Sequence, residues 1–275
     1  MSQRVSDFYP TAFVTGASTG LGRAFTEMLL ADGVRVWGTA RDTARLAELA
    51  KHNNFTPVAL ELRDSAAAEG VFIDADSSAG GFAIVVNNAG YGVFGDFAAT
   101  DFAVWQEQLE VMLLNTARLS HAALRGMRAR NHGALVNISS LAAEFPLPFQ
   151  SVYNMAKAGL TALNESLMVE TAGTGVFILD VRPGDYRTDF EGSVRRPPGE
   201  TTPAMARAWV AFGKMMETGP APAHAAAALR RALLRRRSGT VRCGRFFQAV
   251  LAPLLARLGS LPIKRRVQAK YFDLP

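Results

Sequence analysis

The segment TAFVTGASTGLGRAFTEMLLA, at residues 11–31, decides the fold that this sequence predicts. It opens with a short apolar run typical of a strand and closes with a helical pattern. Between them, Gly16 suits a tight turn, Gly20 lets the backbone approach a pyrophosphate, and Gly22 permits close packing of the helix on the strand. The start of the helix offers free N–H groups and a positive dipole to an anion. The segment therefore predicts a strand–turn–helix unit that binds a phosphorylated molecule.

The same alternation of short apolar runs and helix-length stretches continues as far as Pro183. Continuous apolar runs suit strands buried on both faces, and strand–helix alternation predicts parallel pairing with right-handed crossovers. The sequence therefore predicts an α/β fold, a Rossmann-like doubly wound parallel sheet. The predicted strands are Thr11–Thr15, Val34–Thr39, Pro57–Leu60, Phe82–Asn87, Ala134–Ser139 and Val176–Val181, and the predicted helices are Leu21–Ala31, Thr43–Lys51, Asp101–Arg130 and Val152–Thr171.

The pattern is looser after Pro183, where a polar stretch rich in Gly, Pro and Arg precedes two helical patterns. These patterns are Ala204–Met216 and Pro222–Arg237, and Thr240–Cys243 follows as a last candidate strand. No linker or repeat divides the chain. We predict a single domain over residues 1–275, with a substrate lid at 185–215 and a helical C-terminal extension at 220–275.

Composition excludes several classes of protein. The 275 residues are 49% hydrophobic and 20% charged, which is ordinary for a globular chain and argues against disorder. The single cysteine, Cys243, excludes an internal disulfide and favours a reducing compartment, so we expect a cytoplasmic protein. Phe246–Ala256 is too short to span a bilayer, the four histidines lack metal-ligand spacing, and no nucleic-acid module accompanies the net charge of +6.

Five motifs together resemble the short-chain dehydrogenase/reductase family. The glycines are spaced Gly-x-x-x-Gly-x-Gly, Asn-Asn-Ala-Gly follows the fourth strand, and Pro-Gly follows the sixth. The resemblance covers about residues 10–190 well and implies an oxidoreductase acting on a carbonyl or alcohol. Its remaining motifs, which imply the catalytic group, are Asn115 in the long helix, Ser140 after the fifth strand, and Tyr153 with Lys157 in the next helix.

The chemistry of that group also follows from the residues themselves. Tyr153 and Lys157 are four apart and share a helix face. A phenol is a poor base near neutrality, and we expect the nearby ammonium to lower the pKa of Tyr153 toward operating pH. Ser140 can donate a hydrogen bond to the substrate oxygen. The resemblance further implies that Lys157 holds the nicotinamide ribose and that Asn115 supports a water that relays protons to Lys157.

The second strand predicts the cofactor. Ala40 stands where family members that use NAD commonly have Asp, and Arg41 follows it. A guanidinium can pair with a 2′-phosphate, so NADP(H) is favoured over NAD(H); the alternative is an Arg41 that only solvates a loop beside Asp42. Glu61 departs from the Asp that the family usually carries near adenine. The predicted cofactor-binding residues are Gly16, Ser18, Thr19, Gly20, Leu21, Gly22, Arg41, Glu61, Leu62, Asn88, Ala89, Gly90, Tyr153, Lys157, Pro183, Gly184 and Thr188.

The substrate is expected to be an apolar carbonyl or alcohol, because aromatic residues border the predicted cavity at Tyr91–Phe94 and Glu144–Phe149. The alternative is that these residues only pack the loops. The alternatives are a non-catalytic NADP(H)-sensing protein, an NAD-dependent alcohol dehydrogenase and, disfavoured by length and glycine spacing, a nucleotide-sugar epimerase. The resemblance implies a homodimer or homotetramer built on the 101–130 and 152–172 helices. The basic C-terminal region is interpreted as a solvated face with an oligomer or lid contact, and the alternative is peripheral contact with an anionic membrane surface.

Overall fold

A computed structural model describes residues 3–258 and 260–274 of the chain, and the backbone alone at 256–258. The few other positions of the predicted 1–275 domain (1, 2, 259 and 275) lie outside the described residues. Seven strands form one sheet in the order β3-β2-β1-β4-β5-β6-β7, and every pairing is parallel. The strands are β1 Thr11–Val14, β2 Arg35–Ala40, β3 Phe55–Ala59, β4 Ile84–Asn87, β5 Gly133–Ile138, β6 Val176–Pro183 and β7 Gly239–Cys243.

Helices cover both faces of this sheet and continue after the last strand, so the predicted doubly wound α/β fold is confirmed. None of the described helices is long and apolar enough to cross a bilayer. The helices are α1 Gly20–Ala31, α2 Ser65–Ala79, α3 Phe102–Leu109, α4 Asn115–Ala129, α5 Ser151–Glu170, α6 Phe190–Ser193, α7 Pro203–Glu217, α8 Pro222–Arg235, α9 Ala252–Leu258 and α10 Leu261–Tyr271.

The predicted helical pattern needs correction in three places. The predicted helix Thr43–Lys51 is two short 3-10 turns, Thr43–Leu46 and Leu49–Lys51, because the Asp42 side chain accepts from the Ala44 N–H (2.9 Å) and caps a tight first turn. Helix α2 was not predicted. Its sequence is rich in Ser, Asp and Ala, but Asp64 caps its start and Gly80 ends it with φ +74°.

The third correction concerns the predicted long helix Asp101–Arg130. It is interrupted by a π-helical turn, Glu110–Leu114, between α3 and α4. A π-turn inserts an extra residue into the helix, which rotates the residues that follow relative to those before. The turn ends immediately before Asn115, and this residue is 1% exposed.

Two apolar cores fill the spaces on either side of the sheet. On one face, Phe25 and Leu29 of α1 and Leu229 of α8 pack against β1, β2 and β4. On the other face, Phe72 of α2 and Leu119 of α4 join a cluster that includes the rings of Phe13 and Phe82. Burial on both faces explains why the central strands are continuous apolar runs.

A polar chain runs through the second face, where the strands end. Asn87, Asn137 and Asp180 lie side by side on β4, β5 and β6. Asn87 donates to Asn137 (2.8 Å), and Asn164 of α5 bonds both Asn137 (2.7 Å) and Asp180 (3.0 Å). Asp180 also accepts from Arg182 (2.7 Å). These bonds fix α5 against the sheet, and buried polar groups of this kind are stabilising only while each keeps its partners.

Removing the Asp180 carboxylate should therefore destabilise the protein strongly. Arg182 is 4% exposed, and without Asp180 it keeps partners only at the edge of the network, in Glu144 and Glu165. We expect Asp180→Ala to lower the free energy of unfolding in urea by about 3 kcal/mol. Glu165→Ala is the matched control, because its carboxylate bonds the same Arg182 but is largely exposed; we expect a loss of less than about 1 kcal/mol. Equal losses in the two variants would contradict this account.

Candidate active site

The glycine turn between β1 and α1 forms one end of the site. Gly16 (φ +68°) and Gly20 (φ +57°) adopt left-handed conformations that favour glycine. A Cβ at Gly22 would lie 2.1 Å from the Gly16 carbonyl oxygen, so only glycine allows the helix to pass this close to the turn. At these glycines the turn exposes backbone that no side chain covers.

Side chains from β1 and the loop after β4 hold this turn in place. The Thr15 hydroxyl accepts from the N–H groups of Asn88 (2.9 Å) and Ala89 (3.0 Å), and the Asn88 amide donates to the Thr15 carbonyl (3.0 Å). The loop after β4 is thus bonded to the glycine turn. Gly90, further along this loop, lies beside Met112 of the π-turn Glu110–Leu114.

The first turn of α1 has N–H groups that no capping side chain satisfies. Thr19 is the N-cap residue, and its side chain makes no capping bond, while Ser18 and Leu21 on either side are partly exposed. Thr188, which follows the Pro183–Gly184 end of β6, faces this turn, because a Cβ at Gly20 would lie 3.6 Å from its side chain. The free N–H groups, the bare turn and the helix dipole form a cradle for a phosphate. These residues fit the pyrophosphate of a dinucleotide.

The residues predicted to contact the adenosine end lie at the ends of β2 and β3. Arg41 is exposed immediately after β2 and makes no salt bridge within the described part of the chain. Asp42 caps the following turn instead of pairing with it. Glu61 accepts from the Arg63 N–H (3.0 Å), and the Leu62 carbonyl accepts from the Asn115 side chain.

Tyr153, Lys157 and Ser140 lie together at the carboxyl end of β5. Tyr153 and Lys157 are on adjacent turns of α5, and the Lys157 nitrogen is 5.7 Å from the centre of the Tyr153 ring. Lys157 donates to the Ile138 carbonyl (2.7 Å), two residues before Ser140. Ser140 follows β5 and caps a short turn by accepting from Ala142 N–H (3.0 Å). The structure thus brings together the three residues that the sequence placed in one group.

The prediction that the Lys157 ammonium lowers the pKa of Tyr153 is wrong. Burial raises the pKa of Tyr153 to about 12, with a smaller opposing effect from Ser140 and a further rise from the charge of Asp185. Burial also lowers the pKa of Lys157 to about 8, so the ammonium is itself weakened as a positive neighbour. Desolvation penalises the charged form of both groups. Tyr153 is therefore a protonated phenol at neutral pH.

Asn115 is bonded to the segment that follows β3. It is the first residue of α4 after the π-turn, and its side-chain nitrogen donates to the Leu62 carbonyl. Its side-chain oxygen is buried and has no hydrogen-bond partner among the described residues. That oxygen can accept a hydrogen bond from another group in the site.

Two residues that the sequence analysis missed lie beside Tyr153. Asp185 follows Gly184 and is largely buried, which raises the pKa of its carboxyl group. The Gln248 side chain, from the C-terminal region, donates to the Asp185 carboxylate. The sequence carries a signal for Asp185, which is an acidic residue close to the end of a strand. It carries none for Gln248, which lies 63 residues further along the chain.

Some of the residues predicted to border the substrate cavity pack elsewhere in the structure. Leu147 and Tyr91 pack in the cluster around Tyr153, and the Phe190 ring lies 5.9 Å from the Tyr153 ring, centre to centre. Phe149 instead packs on Phe94 (5.5 Å between ring centres) in a separate cluster with Met205, Ala208 and Trp209. Within the predicted Glu144–Phe149 stretch, Glu144 pairs with Arg182 (2.5 Å) and Arg242 (2.8 Å), so it holds the loop to β6 and β7.

The chain is similar to known oxidoreductases. A family model described as short chain dehydrogenase matches residues 10–199. A probable NADP-dependent dehydrogenase from Haemophilus influenzae is 33% identical over 177 residues, which are 63% of this chain and 70% of the relative. A 3-oxoacyl-acyl-carrier-protein reductase from Escherichia coli is 34% identical over 181 residues, which are 65% and 74%.

Solved structures agree over more of the chain. A short-chain dehydrogenase from Streptomyces avermitilis has a TM-score of 0.81 and 32% identity, covering 94% of this chain and 96% of that one. A short-chain dehydrogenase/reductase from Burkholderia phymatum in complex with NAD has a TM-score of 0.80, covering 100% and 98%; at 21% identity it supports the fold alone.

The protonation of Tyr153 can be measured directly. Because its pKa is raised to about 12, we expect that ultraviolet titration of the purified chain shows no phenolate from Tyr153 below pH about 10. The Tyr153 signal is the difference between wild type and Tyr153→Phe. A phenolate absorbance that appears near neutrality in wild type and is absent from Tyr153→Phe would overturn the assignment.

Proposed function

Because the chain belongs to the short-chain dehydrogenase family of NAD(P)-dependent oxidoreductases, we propose that it transfers hydride between NADP(H) and a carbonyl or secondary alcohol, with Tyr153 as general acid and base. The observation that carries this proposal is the position of a buried, protonated Tyr153 beside Ser140 and Lys157, at the sheet edge that also carries the glycine turn. A proton donor and a phosphate cradle at one edge suit a nucleotide-dependent reduction.

Each residue of the group has a separate task in the proposed reduction. A nicotinamide cofactor held in this site would supply the hydride that the carbonyl carbon accepts. Ser140 donates a hydrogen bond that orients the carbonyl oxygen, and Tyr153 transfers its proton to that oxygen as negative charge develops there. Lys157, whose pKa is lowered to about 8, stabilises the phenolate that remains and returns a proton to it. Oxidation of an alcohol runs the same proton path in reverse.

Asn115 is proposed to act through Lys157. Its buried, unpartnered side-chain oxygen supports the role of holding a water that passes protons to Lys157. The π-turn before it fixes its rotation about the helix axis. Its bond to Leu62 would also make the adenosine side of the site sensitive to the position of α4.

The cofactor is proposed to lie across the ends of β1 and β4. The bare glycine turn and the uncapped start of α1 support binding of the pyrophosphate there. The residues that would hold it are those predicted from the sequence: Gly16, Ser18, Thr19, Gly20, Leu21, Gly22, Arg41, Glu61, Leu62, Asn88, Ala89, Gly90, Tyr153, Lys157, Pro183, Gly184 and Thr188.

NADP(H) is proposed over NAD(H). Arg41 is exposed at the end of β2 and has no acidic partner in the described residues, so its guanidinium is available to a 2′-phosphate. Ala40 offers no carboxylate to a free 2′-hydroxyl. The similar dehydrogenase from Haemophilus influenzae is named as probably NADP-dependent, which agrees with this choice.

The substrate is proposed to be apolar, since Tyr91, Leu147 and Phe190 surround Tyr153. Residues 185–215, which include α6, would form the lid of a single domain, and residues 220–275 its C-terminal extension.

We also propose a cytoplasmic homodimer or homotetramer. Exposed apolar side chains on the proposed oligomer helices, at Leu114 and Met155, support the assembly, and a buried free thiol at Cys243 supports the compartment.

The general-acid role is tested by Tyr153→Phe. With a panel of ketones and aldehydes, we expect NADPH oxidation by this variant to fall about 10²- to 10⁴-fold, because the phenylalanine cannot donate a proton. Binding of NADPH, measured by fluorescence, should change less than about threefold, since the phosphate cradle is intact. Tyr9→Phe removes a buried phenol at the opposite edge of the sheet and is the control. Undiminished turnover in Tyr153→Phe would refute the role, and tight NADPH binding without turnover in wild type would favour a nucleotide sensor.

The cofactor choice is tested by Arg41→Ala. We expect the KM for NADPH to rise roughly 10- to 100-fold while the KM for NADH changes little, because only NADPH carries the 2′-phosphate. Arg45→Ala removes another exposed arginine four residues away and should leave both values unchanged. Wild-type preference for NADH, or equal effects of Arg41→Ala on both cofactors, would contradict the proposal.

A further inference from the structure

The C-terminal helices present an apolar surface to solvent. Six large apolar side chains of the π-turn Phe247–Leu251 and its neighbours are between 36% and 73% exposed. They recur at four-residue intervals in two rows and therefore share one face. The rows are Phe246–Val250–Leu254 and Phe247–Leu251–Leu255.

Helix α10 also presents apolar side chains to solvent. Ile263 and Val267 are four residues apart along one face of α10 and are 56% and 59% exposed, whereas the Tyr271 hydroxyl accepts from Gln248 (3.1 Å) on the inner side. No residue of α10 is buried, so the helix is held to the body by few contacts. We call these eight exposed apolar side chains, the two rows together with Ile263 and Val267, the outer face. Contiguous exposed apolar surface of this kind marks an interaction site.

The opposite sides of these elements contact the protein. Gln248 donates to Asp185 beside Tyr153, and Gln268 of α10 donates to the Pro146 carbonyl (2.5 Å) in the loop that precedes α5. Phe272, directly after α10, is 4% exposed. The body therefore occupies the inner side, and the outer face remains unpartnered within the described residues.

Charge identifies the occupant of the outer face. Residues 244–272 contain six Lys and Arg residues and no Asp or Glu, whereas residues 1–217 have an excess of acidic residues. Arg266 and Lys270 are four apart on α10 and exposed beside the apolar row. An apolar stripe flanked by basic side chains, on helices too short to span, is the pattern of a segment that lies in the interface of an anionic bilayer.

A second copy of the chain fits the outer face poorly. A two-fold interface brings the same patch of each copy together, so Arg266 and Lys270 would be buried against a patch that contains no acidic residue. Like charges at a buried interface cost several kcal/mol. Anionic lipid headgroups supply the missing negative charge, and each Lys or Arg near such a surface contributes about 1 kcal/mol.

We propose that the outer face docks the protein on the surface of a bilayer containing anionic lipid. The apolar rows enter the boundary between headgroups and acyl chains, and the flanking basic side chains contact the headgroups. This changes the interpretation made from sequence, which preferred a solvated face. The proposal does not depend on the cofactor or on the reaction, and its test uses no activity measurement.

Vesicle sedimentation tests the docking. The full chain is mixed with vesicles of phosphatidylcholine alone or of phosphatidylcholine with about one third phosphatidylglycerol, at low and high salt. We expect binding to the vesicles that contain phosphatidylglycerol, at least tenfold weaker binding to phosphatidylcholine alone, and weakening by salt. These comparisons use wild type only, so they stand even where a variant folds poorly.

Variants then assign the binding to the outer face. Phe246→Ser/Val250→Ser/Leu254→Ser should weaken binding to the anionic vesicles at least tenfold, and Arg266→Gln/Lys270→Gln about thirtyfold, from about 1 kcal/mol for each charge. Matched controls are Ile73→Ser, which removes an exposed apolar side chain of α2, and Arg45→Gln/Lys51→Gln, which removes two exposed charges near β2. Both controls should bind like wild type.

Three results would overturn the proposal. The first is no wild-type binding to the anionic vesicles, and the second is equal binding to both kinds of vesicle. The third is a dimer in sedimentation velocity that the triple serine variant dissociates, with no vesicle binding by wild type; that result would assign the outer face to self-association.

Discussion

The position of α5 against the sheet is the constraint on which the site depends. Asn164 bonds Asn137 on β5 and Asp180 on β6, and it lies on the same helix as Tyr153 and Lys157. Because these bonds are buried, a shift of the helix would leave several polar groups without partners at once. The apolar packing on the same face would tolerate small displacements more easily. The polar chain therefore sets the position of the phenol relative to the strand ends.

The same constraint explains the protonation of the site. Tight packing of α5 buries both Tyr153 and Lys157, and burial opposes the charged form of each. The phenol stays protonated, and the amine is closer to neutrality than a lysine in water. Sequence reasoning considered only the attraction between the two charges and so predicted the opposite direction for Tyr153. The balance between desolvation and attraction depends on depth, which a spacing of four residues does not specify.

Much of the fold was readable from the sequence, because strands buried on both faces are continuous apolar runs and the glycine turn marks the first crossover. Helix α2 was missed because Ser and Asp obscure its apolar periodicity. The π-turn before Asn115 has no local signature, since it reflects packing against neighbouring elements. Contacts between distant parts of the chain, such as Gln248 with Asp185, were also inaccessible. Motifs predict the residues of the candidate site, and the structure brings three of the four residues of the predicted catalytic group together, namely Ser140, Tyr153 and Lys157.

The central claim is that the chain transfers hydride between a nicotinamide cofactor, whose pyrophosphate the glycine turn would hold, and a carbonyl carbon beside Tyr153. Transfer of isotope measures this step itself. NADPH carrying deuterium at the transferable position of the nicotinamide is incubated with the chain and a panel of ketones and aldehydes, and the products are analysed by mass spectrometry. The account predicts an alcohol with one deuterium on the carbon that was the carbonyl carbon. Unlabelled alcohol, or no alcohol from any carbonyl while the cofactor is bound, would contradict it.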